Sequence, residues 1–202
     1  MNAYQKEQLA ALQMIRKYLS TLPDSEINFL KAEVADYLEF RSKVGAFLET
    51  HFKDICTEKC YHSRLSACCS KDGIIAFFAD VVINALIAPQ KDLDRLEQAI
   101  EYPANEFKCI FLSETGCLWQ VKPIVCEMFL CDDAEKRAFE DDAEAEKQWE
   151  AYKEIKKNYT WPDKPVVFEE LETYFIERGY NSSLMYIHNS PGLLRIKQNR
   201  KK

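Results

Sequence analysis

Glycine and proline are scarce in this chain, and long apolar runs are missing. The 202 residues include 5 glycines and 7 prolines, with no low-complexity segment and no internal repeat. The most apolar stretch, residues 73–88, is shorter than the roughly 20 residues that a membrane span needs. The N-terminal residues are amphipathic and lack the apolar core of a secretory signal. We therefore expect a soluble, cytoplasmic protein that does not enter a membrane.

Excess positive charge and familiar catalytic motifs are also missing. The formal net charge is −6 and the isoelectric point is near 5.3, whereas proteins that bind nucleic acid carry a basic surface. The sequence contains no glycine-rich phosphate loop, nucleotide fingerprint, Ser/His/Asp set or His-Glu-x-x-His motif. We therefore expect no nucleic-acid partner, and any enzymatic activity would depend on a cofactor. The identity of a protein partner does not follow from the sequence.

Apolar residues at three- and four-residue spacing predict helices over most of the chain. The predicted helices cover residues 9–19, 24–52, 73–88, 92–102, 134–159 and 168–178. Asp24 and Ser25 are the expected caps of the second helix, while Pro89 should end the third and Gly179 the last. The acidic run 140–146 is interpreted as a solvated helix surface.

Two polar residues interrupt the apolar helix 73–88. Asp80 and Asn84 are four residues apart and therefore share one face of that helix. One interpretation is that they hydrogen-bond to each other or to a neighbouring backbone. The other is that they contact the ligands of a metal site and orient them. The sequence leaves both open.

After residue 102 the apolar pattern changes from helical to β-like. Residues 107–112 and 117–121 are short β-prone runs, and the sequence Ser-Glu-Thr-Gly at 113–116 suits a turn between them. This predicts a β-hairpin, followed by a bend at Lys122-Pro123.

Eight cysteines carry most of the chemical signal, and they fall into two groups of four. The first group is Cys56, Cys60, Cys68 and Cys69, and the second is Cys109, Cys117, Cys126 and Cys131. Four thiolates make a complete tetrahedral set for zinc, and all-cysteine sets also hold iron–sulfur clusters. In a cytoplasmic protein, clustered cysteines favour metal binding over structural disulfides.

The two groups are expected to meet at one shared site. Cys56 and Cys60 are four residues apart, which places both on one face of a helix. The predicted hairpin brings Cys109 and Cys117 together, and the helices between the two groups can place them side by side. The preferred ligands are Cys56, Cys60, Cys69, Cys117 and Cys126.

Four other side chains lie close to the cysteines in sequence. His51 and His62 could each replace a cysteine as a ligand, but the favoured interpretation is a solvated or core histidine. We interpret Tyr61 and Trp119 as packing that excludes water from a metal.

The cysteine layout resembles that of the YkgJ-type cysteine-cluster family, whose signature is Cys-x2-Cys-x2-Cys-Cys. The spacing in this chain is Cys56-x3-Cys60-x7-Cys68-Cys69, then Cys109, Gly116-Cys117 and Pro123-x2-Cys126-x4-Cys131. The stretch CIFLSETGCLWQVKPIVCEMFLC is similar to the family's hairpin and the motif that follows it, although Lys122 and Glu127 stand where that family usually has arginine. The resemblance covers residues 56–131 and implies a zinc- or iron-chelating domain.

We therefore expect a mainly α, single domain over residues 1–202, in which residues 56–131 form a cysteine-rich, partly irregular insert that contains the hairpin. All eight cysteines are candidate ligands for zinc or iron, including an iron–sulfur cluster. Two other functions stay open. One is an iron–sulfur-dependent enzyme, because flagellin lysine methylases also contain grouped cysteines, and the other is a thiol redox sensor that forms reversible disulfides.

Overall fold

Helices dominate the part of the chain that the structure, a computed structural model, describes. The described residues are 1, 3–62, 76–103, 109–160 and 167–186, with the backbone alone at 59 and 60. The helices are α1 (Ala3–Leu19), α2 (Asp24–Glu33), α3 (Ala35–Cys56), α4 (Phe78–Ile87), α5 (Gln90–Glu101), α6 (Ile124–Glu127), α7 (Asp132–Phe139), α8 (Ala143–Lys156) and α9 (Val167–Glu177). No helix among these residues is long and apolar enough to cross a membrane.

A single short hairpin supplies the β structure of the described residues. Strand β1 (Leu112–Ser113) pairs with β2 (Gly116–Cys117) in antiparallel register, so that Leu112 lies opposite Cys117. Gly116 has a φ of 110°, which favours glycine because a side chain is strained there. The predicted fold class, a mainly α protein with a small β-hairpin, is confirmed.

Helix α4 lies at the centre of the core. Its apolar residues are buried on nearly every side, and it packs against α1, α2 and α9. Phe175 of α9 meets Phe78 edge-on, with ring centroids 5.2 Å apart, and meets Tyr18 of α1 at 5.1 Å. Phe168 of α9 makes a similar contact with Phe77 at 5.7 Å. Because aromatic rings bury large areas, these contacts fix α1, α4 and α9 together.

A second aromatic cluster holds the C-terminal half of α3. Trp149 of α8 is fully buried and stacks on Phe47, with ring centroids 5.6 Å apart. Phe52, one turn before the end of α3, packs between Trp149 at 6.3 Å and Phe139 of α7 at 5.5 Å. This packing fixes the end of α3, where Cys56 lies.

The predicted helix 24–52 is two helices. The chain turns at Val34, which has φ −97° and ψ 0°, and the backbone N–H of Leu38 bonds to the Val34 carbonyl to begin α3. The sequence contains no glycine or proline at this turn, but Val34 is fully buried. Pro23 occupies the N-cap position of α2, so the prediction of Asp24 or Ser25 as the cap was wrong.

The predicted helix 134–159 is also two helices. The break falls at residues 140–142, and Asp142 is the N-cap of α8, where its Oδ1 accepts a hydrogen bond from the Ala145 N–H at 2.9 Å. Aspartate is a preferred N-cap because its carboxylate satisfies a free N–H of the first turn. The acidic run is therefore partly a helix cap rather than only a solvated surface.

The predicted C-terminal ends of the third and the last helix agree with the structure. Helix α4 ends before Pro89, although residues 73–75 of the predicted helix lie outside the described residues. Gly179 follows α9 with a φ of 80°. The N–H groups of Gly179 and Tyr180 bond to the carbonyls of Ile176 and Phe175 at 2.9 and 3.0 Å, which is the Schellman arrangement.

Candidate metal centre

Four cysteines line one cavity on the side of the molecule where α3 ends. We call it the cysteine cavity; its volume is ≈ 440 Å³. Each of the four comes from a different segment: Cys56 ends α3, Cys109 lies in the turn before β1, Cys117 ends β2, and Cys126 lies in α6. Cys109 is buried and the other three are half-buried. Apart from these thiols, the lining is mostly apolar and includes Leu48, Phe52, Phe111, Trp119, Phe129 and Leu130.

The remaining predicted ligands are placed differently. Cys131 is the N-cap residue of α7 and is not among the residues that line the cavity. Cys60 lies in a π-helical segment, Thr57–His62, that continues α3, and only its backbone is described. Cys68 and Cys69 lie outside the described residues. Within the described part of the chain, no three His, Cys, Asp or Glu side chains come close enough to hold a metal ion.

The two histidines near the first cysteine group make contacts outside the cysteine cavity. His51 packs against Phe47, with ring centroids 4.5 Å apart, and its Nδ1 lies 3.7 Å from an oxygen of Asp142. His62 is exposed and lies beside the ring of Tyr61. Neither lines the cysteine cavity.

Asn84 fixes the start of the segment that carries Cys126. Its side-chain Nδ2 donates to the Val121 carbonyl at 2.8 Å, and its Oδ1 accepts from the Val121 N–H at 3.0 Å. Asn84 is fully buried. A buried amide that satisfies both groups of one residue holds that residue in a single orientation.

Asp80 holds the same segment three residues further on. One carboxylate oxygen accepts from the Phe77 N–H at 2.9 Å, at the start of α4, and the other accepts from the Ile124 N–H at 3.2 Å, at the start of α6. Burial raises the pKa of Asp80 to about 6, against the opposing effects of these two hydrogen bonds and of the charge on Arg41. Both polar residues of α4 therefore bond to neighbouring backbone, as one of the two interpretations predicted.

Arg41 supplies a third anchor, which the sequence reasoning did not identify. Its guanidinium, on a side chain that is only 3 % exposed, forms a salt bridge with Glu127, donates to the Lys122 carbonyl at 2.6 Å and donates to the Tyr37 hydroxyl at 2.5 Å. Glu127 immediately follows Cys126 and is one of the positions where the chain departs from the YkgJ-type pattern. The sequence does contain a signal for this role. Arg41 lies four residues after Tyr37 and three before Val44, so it falls within the apolar stripe of α3.

Tyr61 links the two sides of the cavity. Its hydroxyl donates to the backbone carbonyls of Ser113, at 3.3 Å, and of Glu114 in the hairpin turn. The π-helical segment after Cys56 is therefore tied to the hairpin that carries Cys117. Such π-helical turns occur mostly within helices and frequently at functional sites.

Comparisons with known proteins identify no relative of this chain. The chain matches no family model, and no curated protein or solved structure shows significant similarity to it. The resemblance of residues 56–131 to the YkgJ-type family therefore stays a prediction.

Proposed function

We propose that this chain binds a thiophilic metal, either zinc or iron in an iron–sulfur cluster, through the thiols of the cysteine cavity. The observation that carries the proposal is the convergence of Cys56, Cys109, Cys117 and Cys126 from four separate segments on one cavity. Thiolates are the ligands that zinc and iron–sulfur clusters share. Cys60, Cys68 and Cys69 remain candidates to complete the set.

The lining of the cavity suits a thiolate-bound metal. An apolar surround excludes water and controls the environment of a metal site. Lys53 and Lys122 also line the cavity, where they pair with Glu49 and Glu127. The charges of these four side chains therefore balance. The cavity is much larger than one ion, so it has room for a cluster.

The anchors of the Cys126 segment support the proposal further. Arg41, Asp80 and Asn84 are all buried, and all three bond to residues 121–127. Metal ligands are commonly held in place by such outer contacts, which restrict their orientation before the metal arrives.

The same cavity supports a second candidate, an iron–sulfur-dependent enzyme. Its volume of ≈ 440 Å³ falls within the range of roughly 300–1,000 Å³ that is typical of small-molecule sites. A catalytic site would keep one coordination position open. A spectral change when thiocyanate is added to the metal-loaded protein would indicate such a position, and an unchanged spectrum would favour a closed site.

The first test is the metal content of protein purified without oxygen, by elemental analysis, acid-labile sulfide and the visible spectrum. We expect metal in the wild type and its loss in Cys117→Ser and Cys126→Ser. Zinc without sulfide identifies a zinc site, and iron with sulfide identifies a cluster. Reversible disulfides without metal would contradict the proposal and favour the thiol redox sensor.

Cys131→Ser is the matched control. Cys131 is only five residues after Cys126 but does not line the cavity, so this variant should keep its metal. Far-UV circular dichroism of each variant separates loss of a ligand from loss of the fold. Equal metal loss in Cys131→Ser and Cys126→Ser would show that the cavity does not define the ligand set.

A further inference from the structure

Trp119 has a buried hydrogen-bond donor without an acceptor. The residue is 6 % exposed, and within the described structure its Nε1 is buried and makes no hydrogen bond. Trp149 differs, because its Nε1 donates to a carboxylate oxygen of Glu135 at 3.2 Å. An indole N–H can only donate, and leaving a buried donor unpaired costs free energy. The burial of this N–H therefore calls for an explanation.

Trp119 lies beside the candidate thiols. It lines the cysteine cavity, and its ring packs edge-on against Phe111 with centroids 5.2 Å apart. The chain bends at Leu118, one residue beyond the last strand residue, where the Leu118 N–H bonds to the Phe111 carbonyl at 2.8 Å. Trp119 comes two residues after Cys117, and both residues line the cavity.

We propose that the Trp119 Nε1–H donates a hydrogen bond to a metal-bound sulfur in the cysteine cavity. This inference rests on the proposed function. A neutral thiol is a weak acceptor, whereas a metal-bound thiolate or a cluster sulfide carries negative charge, and hydrogen bonds to charged acceptors are stronger. The donor therefore gains its acceptor when the metal binds.

The role assigned to Trp119 is to stabilise and tune the metal site, not to react. Hydrogen bonds to the sulfurs are among the factors that set the reduction potential of an iron–sulfur cluster. Outer contacts of this kind typically change metal affinity by roughly 10–100-fold. This role goes beyond the packing that the sequence predicted for Trp119.

The direct test is nuclear magnetic resonance of the full chain with ¹⁵N-labelled tryptophan, before and after addition of ¹¹³Cd²⁺ to metal-free protein. The chain has 3 tryptophans, and the variant Trp119→Phe assigns the signal of residue 119. We expect that signal to move downfield, to exchange more slowly with solvent and to show coupling to ¹¹³Cd. The Trp149 signal is the internal control and should stay in place, because its N–H already has an acceptor.

A second measurement uses Co²⁺ as the probe. Trp119→Phe keeps an aromatic ring but removes the N–H, so we expect Co²⁺ affinity to fall about tenfold and the sulfur-to-cobalt charge-transfer band to shift.

The outcomes separate the two proposals. Cadmium bound through sulfur, with an unchanged Trp119 indole signal and an unchanged cobalt band in Trp119→Phe, would overturn this inference and leave the proposed function standing. A ¹¹³Cd spectrum without thiolate-bound cadmium would overturn the proposed function and this inference with it.

Discussion

The helices around α4 and the segment from Cys109 to Cys131 are held in place by different kinds of contact. Around α4, large apolar and aromatic side chains interlock, with Phe78, Phe168 and Phe175 all fully buried. The cysteine segment contains only two-residue strands and a four-residue helix before α7. Beside its buried apolar residues, it is also fixed to α3 and α4 by polar side chains.

This difference indicates which forces each region depends on. Apolar burial contributes stability in proportion to the area removed from water, and this contribution does not depend on the direction of the contacts. Hydrogen bonds and ion pairs depend on geometry, and the loss of one partner leaves the other buried and unsatisfied. The helical region should therefore respond mainly to changes in volume, whereas the cysteine region should respond to changes in charge and hydrogen bonding as well.

The largest effect on stability is expected at Phe175. The change Phe175→Ala should lower the free energy of unfolding by about 3–5 kcal/mol, because it leaves a cavity among α1, α4 and α9. Denaturant unfolding measures this loss. The neighbouring change Ile176→Ala is the control, since Ile176 is 40 % exposed and should matter much less. Equal losses in the two variants would show that the aromatic cluster does not determine the stability of this region.

An intermediate effect is expected at Arg41. The change Arg41→Gln removes the charged partner of Glu127 and should cost about 2–3 kcal/mol, because Lys122 Nζ, 3.7 Å from the Glu127 carboxylate, neutralises it only in part. It should also weaken metal binding by freeing the segment that carries Cys126. Unfolding and Co²⁺ titration measure the two effects.

Lys43→Gln is the control for Arg41→Gln. Lys43 also pairs with a glutamate, Glu39, but on the exposed surface of α3, where ion pairs contribute little. We expect Lys43→Gln to leave both stability and metal affinity nearly unchanged. If Arg41→Gln weakened metal binding no more than Lys43→Gln did, the anchoring role of Arg41 would be excluded.

An effect of pH on stability is expected through Asp80. Burial raises the pKa of Asp80 from 3.8 to about 6, so the folded protein holds a proton that the unfolded chain releases. Its contribution to stability is complete below about pH 4 and is lost as the pH rises through about 6. We expect the metal-free wild type to lose more stability over this range than Asp80→Asn, which cannot ionise there. Parallel curves for the two proteins would contradict the assignment.

Much of the fold followed from the sequence because its signals are local. The apolar spacing predicted most helices, Pro89 and Gly179 marked two of their ends, and the sequence at 113–116 predicted the hairpin. The break at Val34 was missed because no local signal marks it. The break at 140–142 had a signal, an aspartate able to cap a helix, but it lay within an acidic run that also suits a helix surface.

The sequence by itself determined the residue types and their grouping: eight cysteines in two groups, few helix-breaking residues, and no excess of positive charge. These are properties of composition and spacing, and they require no contact between distant segments. Only the tertiary structure decided that Cys56, Cys109, Cys117 and Cys126 share one cavity. It also decided that Arg41 and Asp80 hold the segment that carries Cys126, and that the Trp119 N–H is buried without an acceptor among the described residues. The physical reason is that burial and hydrogen bonding between distant segments depend on how the helices pack, which spacing along the chain does not specify.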